Sequence, residues 1–329
     1  MYREKTICTT VPCYNEQTQI ARVIESMPDF VDRIVVVDDN SRDRSCAIVE
    51  ALAKNDPRVV LIRHERNSGV GTSIATGYKY ARDHRMDVTV VMAGDAQMDP
   101  ADYESVILPV VCGEADYCKG NRFKYHGGLR RIPAVRKFGN FVLSFLTKIA
   151  SGYWHISDSQ TGYTAVSLEA LESIDLDRIY PRYGCPNDIL VKLNIADMRV
   201  VEVPVNPLYR VGERSDMKIP RVVLSISKLL VGLFFRRIVR RYVIDSGHPI
   251  FLYYLAASAA YLGSFLIFVY DMISWAQSDW ERIPQTSLIV SGFLFVVALQ
   301  LTLGAFSLDF ETNKHLFVHQ KARGREAKT

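Results

Sequence analysis

The sequence predicts an α/β fold with a doubly wound, mostly parallel sheet, followed by amphipathic interfacial helices and two transmembrane helices. Strand and helix patterns alternate through the first 120 residues, which requires crossover connections and hence parallel pairing. A basic amphipathic stretch and two long uncharged apolar runs follow. We expect an α/β domain at 1–218, interfacial helices at 219–245, a two-helix anchor at 246–309 and a basic tail at 310–329.

The predicted strands are short runs rich in β-branched residues, and the predicted helices have apolar residues at helical spacing. The strands are Thr6–Val11, Arg33–Val37, Val59–Ile62 and Val88–Met92, and the helices are Glu16–Ser26, Ser45–Lys54, Thr72–Asp83 and Val135–Ile149. In such sheets ligands bind outside the carboxyl ends of the strands. Three successive strand ends carry polar clusters, so we expect a site there: Tyr14-Asn15-Glu16, Asp38-Asp39-Asn40 and Gly94-Asp95-Ala96-Gln97.

Two of the motifs near these strand ends have several interpretations. Gly69 and Gly71 follow a strand and open a helix, but Ile74 breaks the dinucleotide fingerprint, so a tight packing turn is the simplest interpretation. Asp38 and Asp39 could accept hydrogen bonds from a ribose hydroxyl or a base N–H, or they could cap a turn.

The segment after the strand VTVVM has oxygen ligands suited to a divalent cation. Asp95 and Gln97 lie two residues apart and could share an Mg²⁺ ion that is also held by a diphosphate and water. We expect Asp99 to cap the next helix and Pro100 to occupy its first position.

The C-terminal third of the chain predicts membrane attachment. Val222–Val243 is apolar on one side and basic towards its end, which is typical of an interfacial helix. Pro249–Tyr270 and Thr286–Leu308 are uncharged runs of 22 and 23 residues, long enough to cross a bilayer core of about 30 Å. Basic residues flank the pair of runs and acidic residues dominate the loop between them, so both termini are expected to be cytoplasmic.

The six cysteines predict neither a zinc site nor a redox motif. They lie between positions 8 and 185, and no two of them form a C-x-x-C pair. Reduced thiols are therefore expected, as in cytoplasmic proteins.

Five segments occur in the order found in family 2 glycosyltransferases, and the sequence most resembles the polyprenyl-phosphate branch, which includes dolichol-phosphate mannose synthase. They are VPCYNE (11–16), VVVDDNS (35–41), NSGVG (67–71), GDAQMDP (94–100) and DSQTGYTAVS (158–167). The resemblance covers residues 6–218. It implies a GT-A fold, a nucleotide-sugar donor, a polyprenyl-phosphate acceptor such as undecaprenyl or dolichyl phosphate, and Mg²⁺ or Mn²⁺.

The same resemblance assigns roles to individual positions. It implies that the donor nucleotide is bound by Pro12, Tyr14, Glu16, Asp39, Arg210 and Ser215. Asp95 and Gln97 would hold the metal, Arg122 and Arg136 would receive the acceptor phosphate, and Asp158 would lie beside the reacting sugar. The family's metal motif has an acidic residue where this chain has Ala93. A metal held by fewer carboxylates is therefore expected.

The resulting hypothesis is an inverting transfer of a hexose, expected to be UDP-linked, to polyprenyl phosphate. The lipid phosphate is itself an anionic nucleophile, since its second pKa is about 6. Asp158 is therefore expected to align a substrate rather than to accept a proton, although Asp95 and Asp158 are both catalytic candidates. Transfer to another lipid or glycan, or an inactive nucleotide-sugar-binding protein, remains an alternative. The resemblance also implies a homo-oligomer, with a tetramer favoured.

Overall fold

The computed structural model describes residues 1–124, 134–208, 219–277 and 285–318. The chain divides into two compact units. The first contains residues up to Phe234 and the described residues from His315 onward, and the second runs from Phe235 to Lys314.

The first unit alternates strands and helices, as the sequence predicts. The strands are β1 (Ile7–Cys13), β2 (Arg33–Asp38), β3 (Val59–Arg63), β4 (Val88–Val91), β5 (Tyr117–Asn121), β6 (Thr164–Ser167), β7 (Val200–Pro204) and β8 (Phe317–Val318). The helices are α1 (Ile20–Glu25), α2 (Ser45–Asn55), α3 (Val70–Asp83), α4 (Tyr103–Val111), α5 (Ala134–Ser151), α6 (Leu168–Ser173), α7 (Cys185–Ile195) and α8 (Ile219–Arg237), which continues into the second unit.

Helix α1 begins four residues later than the pattern predicts. The backbone N–H of Glu16 donates to Ser45 Oγ at 2.8 Å, and that of Gln17 donates to Asp43 Oδ2 at 3.1 Å. These contacts satisfy the backbone outside a helix, so the chain turns first and becomes helical only at Ile20.

The eight strands form one mostly parallel sheet in the order β3-β2-β1-β4-β6-β5-β7-β8. Among the strands of the described residues, only β6 runs antiparallel to its neighbours, β4 and β5. The chain moves outward from β1 through β2 to β3 and then returns to place β4 on the other side of β1. The crevice between β1 and β4 is therefore a topological switch point, where open α/β sheets bind ligands.

Apolar side chains cover both faces of the central strands, which are buried on both sides. In β2, Ile34 and Val36 join one core cluster, whereas Val35 and Val37 join the cluster on the opposite face. This alternation follows from the two-residue period of a strand, and it explains why the strand sequences are almost continuously hydrophobic.

Two features of the first unit were not evident in the sequence. Helices α5, α7 and α8 form a third cluster around Leu143, Val191 and Leu230, so α8 is buried along one side. Residues Phe317–Val318, within the predicted tail, add β8 beside β7 by pairing with Val200 and Val201.

The second unit contains helices α9 (Ile250–Gln277) and α10 (Gln285–Asn313), each long and apolar enough to cross a membrane. Small residues recur every seven positions on the buried side of α9, at Ala257 and Ser264. Ser264 Oγ donates to the Ser291 carbonyl at 2.9 Å, and Ser291 Oγ donates back to the Ser264 carbonyl at 3.0 Å. Small residues allow two helices to approach closely, and hydrogen bonds across the seam reinforce the contact.

A buried ion pair joins Arg237 to Asp309, near the C-terminal end of α10. The predicted helix 222–243 is α-helical to Arg237 and continues as a π-helical segment, Ile238–Asp245. Arg237 is fully buried, and its guanidinium bonds Asp309 of α10 at 2.7 and 3.1 Å. Tyr242 also donates to this carboxylate at 2.5 Å. Pairing of this kind is required for a charge taken out of water.

Candidate active site

The candidate site lies along the edge of the sheet formed by the carboxyl ends of the parallel strands. Strands β1, β2, β4, β5 and β7 all end at this edge. Because β6 is antiparallel, the loop that precedes it, with Asp158, also lies there. The topology therefore collects the three predicted polar clusters and adds two segments from the second half of the domain.

The β1–α1 turn contributes three of the predicted nucleotide-binding residues. The Pro12 carbonyl accepts a hydrogen bond from the Gly94 N–H at 3.2 Å, which joins the end of β1 to the loop after β4. Tyr14 is 43% exposed, so its ring is available at the mouth of the crevice. Glu16 is half-buried at the start of the turn.

Asp39 is buried and anchors the glycine-containing loop. Its carboxylate accepts from the Ser68 N–H at 2.8 Å and the Gly69 N–H at 2.7 Å. His64 Nδ1 lies 2.8 Å from the same carboxylate, and because an ionised carboxylate only accepts, the ring donates this bond. The turn-forming interpretation of Asp39 is therefore present in the structure, alongside any role in nucleotide binding.

The two glycines of the loop are required by close packing. A Cβ on Gly71 would lie 2.0 Å from the Tyr180 carbonyl oxygen, and Gly69 has a φ of +97° that favours glycine. The Gly71 N–H donates to the Pro181 carbonyl at 2.8 Å. The loop is thus the predicted tight packing turn, although these two glycines pack against the 180–181 segment and not directly against the sheet.

The predicted metal loop follows β4 directly. Asp95 Oδ1 accepts the Gln97 N–H at 3.0 Å, and Ala96 between them has a φ of +55°. Gln97 is exposed and Asp95 is half-buried. Asp99 accepts the Ala101 N–H at 3.0 Å, and Pro100 opens the 3₁₀ turn Pro100–Asp102 that leads into α4, which confirms the predicted cap.

The segment after β7 holds the metal loop from the other side. The Leu208 N–H donates to the Gln97 carbonyl at 3.1 Å. Asn206 donates from its side chain to Asp99 at 2.9 Å and from its backbone to Asp102 at 2.6 Å. These bonds bring the chain that leads towards Arg210 next to the residues proposed to hold the metal.

Arg122 and Asp158 form a bidentate ion pair at the end of β5. Arg122 Nε and Nη2 donate to Asp158 at 2.8 and 2.9 Å, and the Arg122 backbone N–H adds a third bond at 3.1 Å. Asp158 is 1% exposed. Burial alone would raise the pKa of its carboxyl, but the charge and hydrogen bonds of Arg122 outweigh burial and lower that pKa. Asp158 is therefore an anion at neutral pH.

The sequence interpretation missed two buried charges beneath this pair, Lys119 in β5 and Glu202 in β7. Lys119 is 0% exposed and Glu202 is 2% exposed. A detectable signal existed, because each is the one charged residue inside a short strand, YCKGN for Lys119 and VVEVP for Glu202.

The remaining predicted residues lie at the limits of the described structure. The backbone of Arg136 is in the first turn of α5, and its side chain is not described. Arg210 and Ser215 fall between the described residues 208 and 219. Within the described residues, no group of three or more His, Cys, Asp or Glu side chains could hold a metal.

A family model and several known proteins match the chain. The model of glycosyl transferase family 2 matches residues 8–175. The UDP-N-acetylglucosamine–dolichyl-phosphate N-acetylglucosaminyltransferase of Methanococcus voltae is 31% identical over 219 residues, which cover 63% of this chain and 87% of that protein. The undecaprenyl-phosphate mannosyltransferase of Micrococcus luteus is 28% identical over 214 residues, or 64% of this chain and 87% of that protein.

Among solved structures, the chain is similar to glucosyl-3-phosphoglycerate synthase from Mycobacterium tuberculosis in complex with Mn²⁺, uridine diphosphate and glucosyl-3-phosphoglycerate. The TM-score is 0.54 with 20% identity, over 74% of this chain and 82% of that one. At this identity the likeness establishes the GT-A type of sheet and nothing further.

Proposed function

The chain belongs to glycosyl transferase family 2 and is a glycosyltransferase, and we propose that it transfers a hexose from a nucleotide-sugar to polyprenyl phosphate with inversion. The observation that carries the proposal is the shared sheet edge. There the Asp95–Gln97 loop and the Arg122–Asp158 pair lie in one fold whose relatives act on dolichyl and undecaprenyl phosphates.

We assign the nucleoside to the crevice between β1 and β4. Pro12, Tyr14 and Glu16 form its β1 side, and Asp39 lies at the end of the neighbouring strand. Asp39 accepts three bonds from the protein, and a carboxylate has about four acceptor positions, which leaves capacity for one base N–H. A uracil N–H suits this position, so a UDP-linked donor is the first choice. Arg210 and Ser215 are proposed to close over its diphosphate.

The residues of the metal loop fit a divalent cation held largely by the substrate. Asp95 and Gln97 supply one carboxylate and one amide oxygen, and Ala93 supplies none. Mg²⁺ commonly keeps water and substrate phosphates as ligands, so two protein oxygens are sufficient beside a diphosphate. When bound, Mg²⁺ or Mn²⁺ would neutralise charge on the leaving nucleoside diphosphate.

The reaction forms a bond between a lipid phosphate oxygen and the anomeric carbon as the bond from that carbon to the diphosphate breaks. The attacking oxygen is anionic at neutral pH because the second pKa of a phosphate monoester is about 6. The carboxylate of Asp158 is already bonded by Arg122 at both oxygens. We therefore assign Asp158 to alignment of the site. Arg122 and Arg136 are assigned to the acceptor phosphate, which guanidinium groups bind bidentately.

The second unit is proposed to anchor the enzyme in the membrane where its lipid acceptor lies. Helices α9 and α10 would span the bilayer, and the exposed Arg236 and Arg240, with the half-buried Arg241, would meet anionic headgroups. This arrangement retains the proposed segments 1–218, 219–245, 246–309 and 310–329, with both termini cytoplasmic. A tetramer is the proposed assembly.

The decisive experiment is a donor panel on the purified full-length protein. UDP-N-acetylglucosamine, UDP-glucose and GDP-mannose are each incubated with undecaprenyl or dolichyl phosphate, with Mg²⁺, Mn²⁺ or EDTA. We expect one donor to give a chloroform-soluble, acid-labile product with inverted anomeric configuration, and EDTA to abolish it.

Matched variants test the assignment of the metal loop. Asp95→Ala should remove product formation, whereas Asp83→Ala, which changes an exposed surface carboxylate paired with Arg82, should not. Product formation with diacylglycerol or a glycan but not with polyprenyl phosphate would refute the proposed acceptor. Donor binding without transfer to any acceptor would indicate a nucleotide-sugar-binding protein instead.

A further inference from the structure

Lys119 and Glu202 face each other across the β5–β7 pairing, beneath the site. They are direct register partners on adjacent parallel strands, and Thr164 of β6 is the partner of Lys119 on its other side. The Lys119 ammonium donates to the Thr161 carbonyl. A buried ammonium group destabilises the fold unless it is paired and hydrogen-bonded. The partners of Lys119 therefore indicate what this lysine holds in place.

Glu202 connects the two segments that carry the Arg122–Asp158 pair. Its carboxylate accepts the backbone N–H groups of Ser157 and Asp158, each at 2.8 Å. It also accepts the Asn121 side-chain N–H at 2.7 Å. Asn121 directly precedes Arg122, and Ser157 directly precedes Asp158. One carboxylate therefore holds both partners of the ion pair through their neighbouring residues.

Lys119 holds the other flank of the same loop. The bond from the Asp158 backbone N–H to Glu202 holds the loop on the N-terminal side of Asp158. The Lys119 ammonium holds the carbonyl of Thr161, three residues further along the chain. The two buried charges thus bracket Asp158 from both sides. A residue that acts in this way sets the position of a site without touching its substrates.

The charges that face Lys119 come from every element around it. Arg122 lies at the end of its own strand, Asp158 in the loop before β6, and Glu202 in β7. The Cys185 thiol of α7 also faces it, and burial raises the pKa of that thiol to about 12, so it stays neutral. Burial lowers the pKa of Lys119 to about 8, despite the opposing effect of the Asp158 and Glu202 carboxylates.

We propose that Lys119 is a positioning residue of the transferase site, whose ammonium group holds the Asp158 loop in the active geometry through its bond to the Thr161 carbonyl. The inference rests on the proposed function. Lys119, Arg122, Asp158 and Glu202 together carry no net charge when all are ionised, and the half-exposed Lys124 ammonium lies 3.4 Å from the Glu202 carboxylate. Loss of the Lys119 proton removes one positive charge from beneath the place where two anionic substrates must meet.

The test compares Lys119→Met and Lys119→Arg with the wild-type protein from pH 6.5 to 10. Methionine keeps the length of the side chain without its charge, and arginine keeps a charge that does not titrate in this range. At pH 7, Lys119→Met should lower kcat/KM by about 10²-fold, the cost of a small misplacement of a catalytic group. The wild-type rate should fall above about pH 8 as Lys119 loses its proton. This fall should be absent in both variants.

Stability gives a second readout, which reports whether the Lys119 ammonium group is buried in the folded protein. The folded protein binds fewer protons at Lys119 than the unfolded chain between about pH 8 and 10.5. The wild-type protein should therefore become more stable relative to Lys119→Met as the pH rises, while its activity falls. Thermal unfolding of both proteins at each pH measures this difference without any substrate.

Lys79→Met is the control, because Lys79 of α3 is a partly exposed lysine paired with Asp177 on the surface. It should match the wild type in both measurements. Persistence of the alkaline fall in Lys119→Met, or full activity of that variant at pH 7, would overturn the positioning role. If the stability difference between the wild type and Lys119→Met did not change with pH, the claim that Lys119 is a buried ammonium group with a lowered pKa would be wrong. Absence of transfer by the wild type with every donor would instead refute the proposed function.

Discussion

Replacing Asp158 with asparagine separates alignment from proton transfer. The wild-type carboxylate accepts three bonds from Arg122, at 2.8, 2.9 and 3.1 Å. Asparagine retains one acceptor oxygen and places an NH₂ group against the guanidinium, so at least one charge-assisted bond is lost. Breaking a buried pair costs about 3–5 kcal/mol, and because the Arg122 side chain is 27% exposed we expect about 3 kcal/mol.

The pH dependence of this loss has a defined sign. Because the pKa of Asp158 is lowered on folding, its carboxylate contributes stability above its unfolded pKa of about 3.9, and that contribution is lost as the pH falls through the folded value. The stability difference between the wild type and Asp158→Asn should therefore be constant at neutral pH and shrink in strong acid. Denaturant unfolding at a series of pH values measures it.

The pH–rate profile tests the role in catalysis. We expect Asp158→Asn to lower kcat/KM for the lipid by about 10²-fold, since the loop is misplaced. The acidic limb, near pH 6, should remain because it reports the second ionisation of the lipid phosphate. Loss of that limb, with unchanged affinity for both substrates, would show that Asp158 accepts a proton and would refute the alignment role.

Asp116 offers a matched control for the Asp158 experiment. It accepts the Arg199 backbone N–H at 2.7 Å and the guanidinium at 3.0 and 3.2 Å, which repeats the geometry at the opposite edge of the sheet. Arg199 is 43% exposed, so Asp116→Asn should cost only about 1 kcal/mol. It should leave the pH–rate profile unchanged.

Three further predictions concern packing, the membrane hairpin and the metal. Gly71→Ala should destabilise the protein by about 3 kcal/mol through overpacking, whereas Gly139→Ala, with nothing within 4 Å, should stabilise α5 by about 1 kcal/mol; thermal unfolding measures both. Asp309→Asn should cost about 3–5 kcal/mol by leaving Arg237 buried without its counter-ion, and Arg237→Met/Asp309→Leu should recover most of it in detergent unfolding. Asp95→Asn should raise the Mg²⁺ concentration for half-maximal activity by at least about tenfold.

Much of the fold follows from local patterns. The predicted strands and helices of the first 120 residues all occur, with α1 shortened because Ser45 and Asp43 bind the backbone that precedes it. Helices α9 and α10 contain the two predicted apolar runs apart from Pro249, which directly precedes α9. These elements could be predicted because hydrophobic periodicity and run length are properties of contiguous segments.

Side-chain partners were harder to predict, because they depend on strand register. Arg122 and Asp158 are 36 residues apart, and no local sequence pattern in either segment predicts that the two side chains form an ion pair. Lys119 and Glu202 are 83 positions apart and become neighbours only through the parallel pairing of β5 with β7. Strand β8 likewise depends on an edge that only the assembled sheet provides.

The sequence by itself determined the α/β class, the polar strand ends, the family and the two apolar helices, since each depends on residue order and spacing alone. Only the tertiary structure decided that Asp158 is a paired anion and that two buried charges bracket its loop. The physical reason is that the ionisation and hydrogen bonding of a buried group are set by the groups around it, which the sheet brings together from distant parts of the chain.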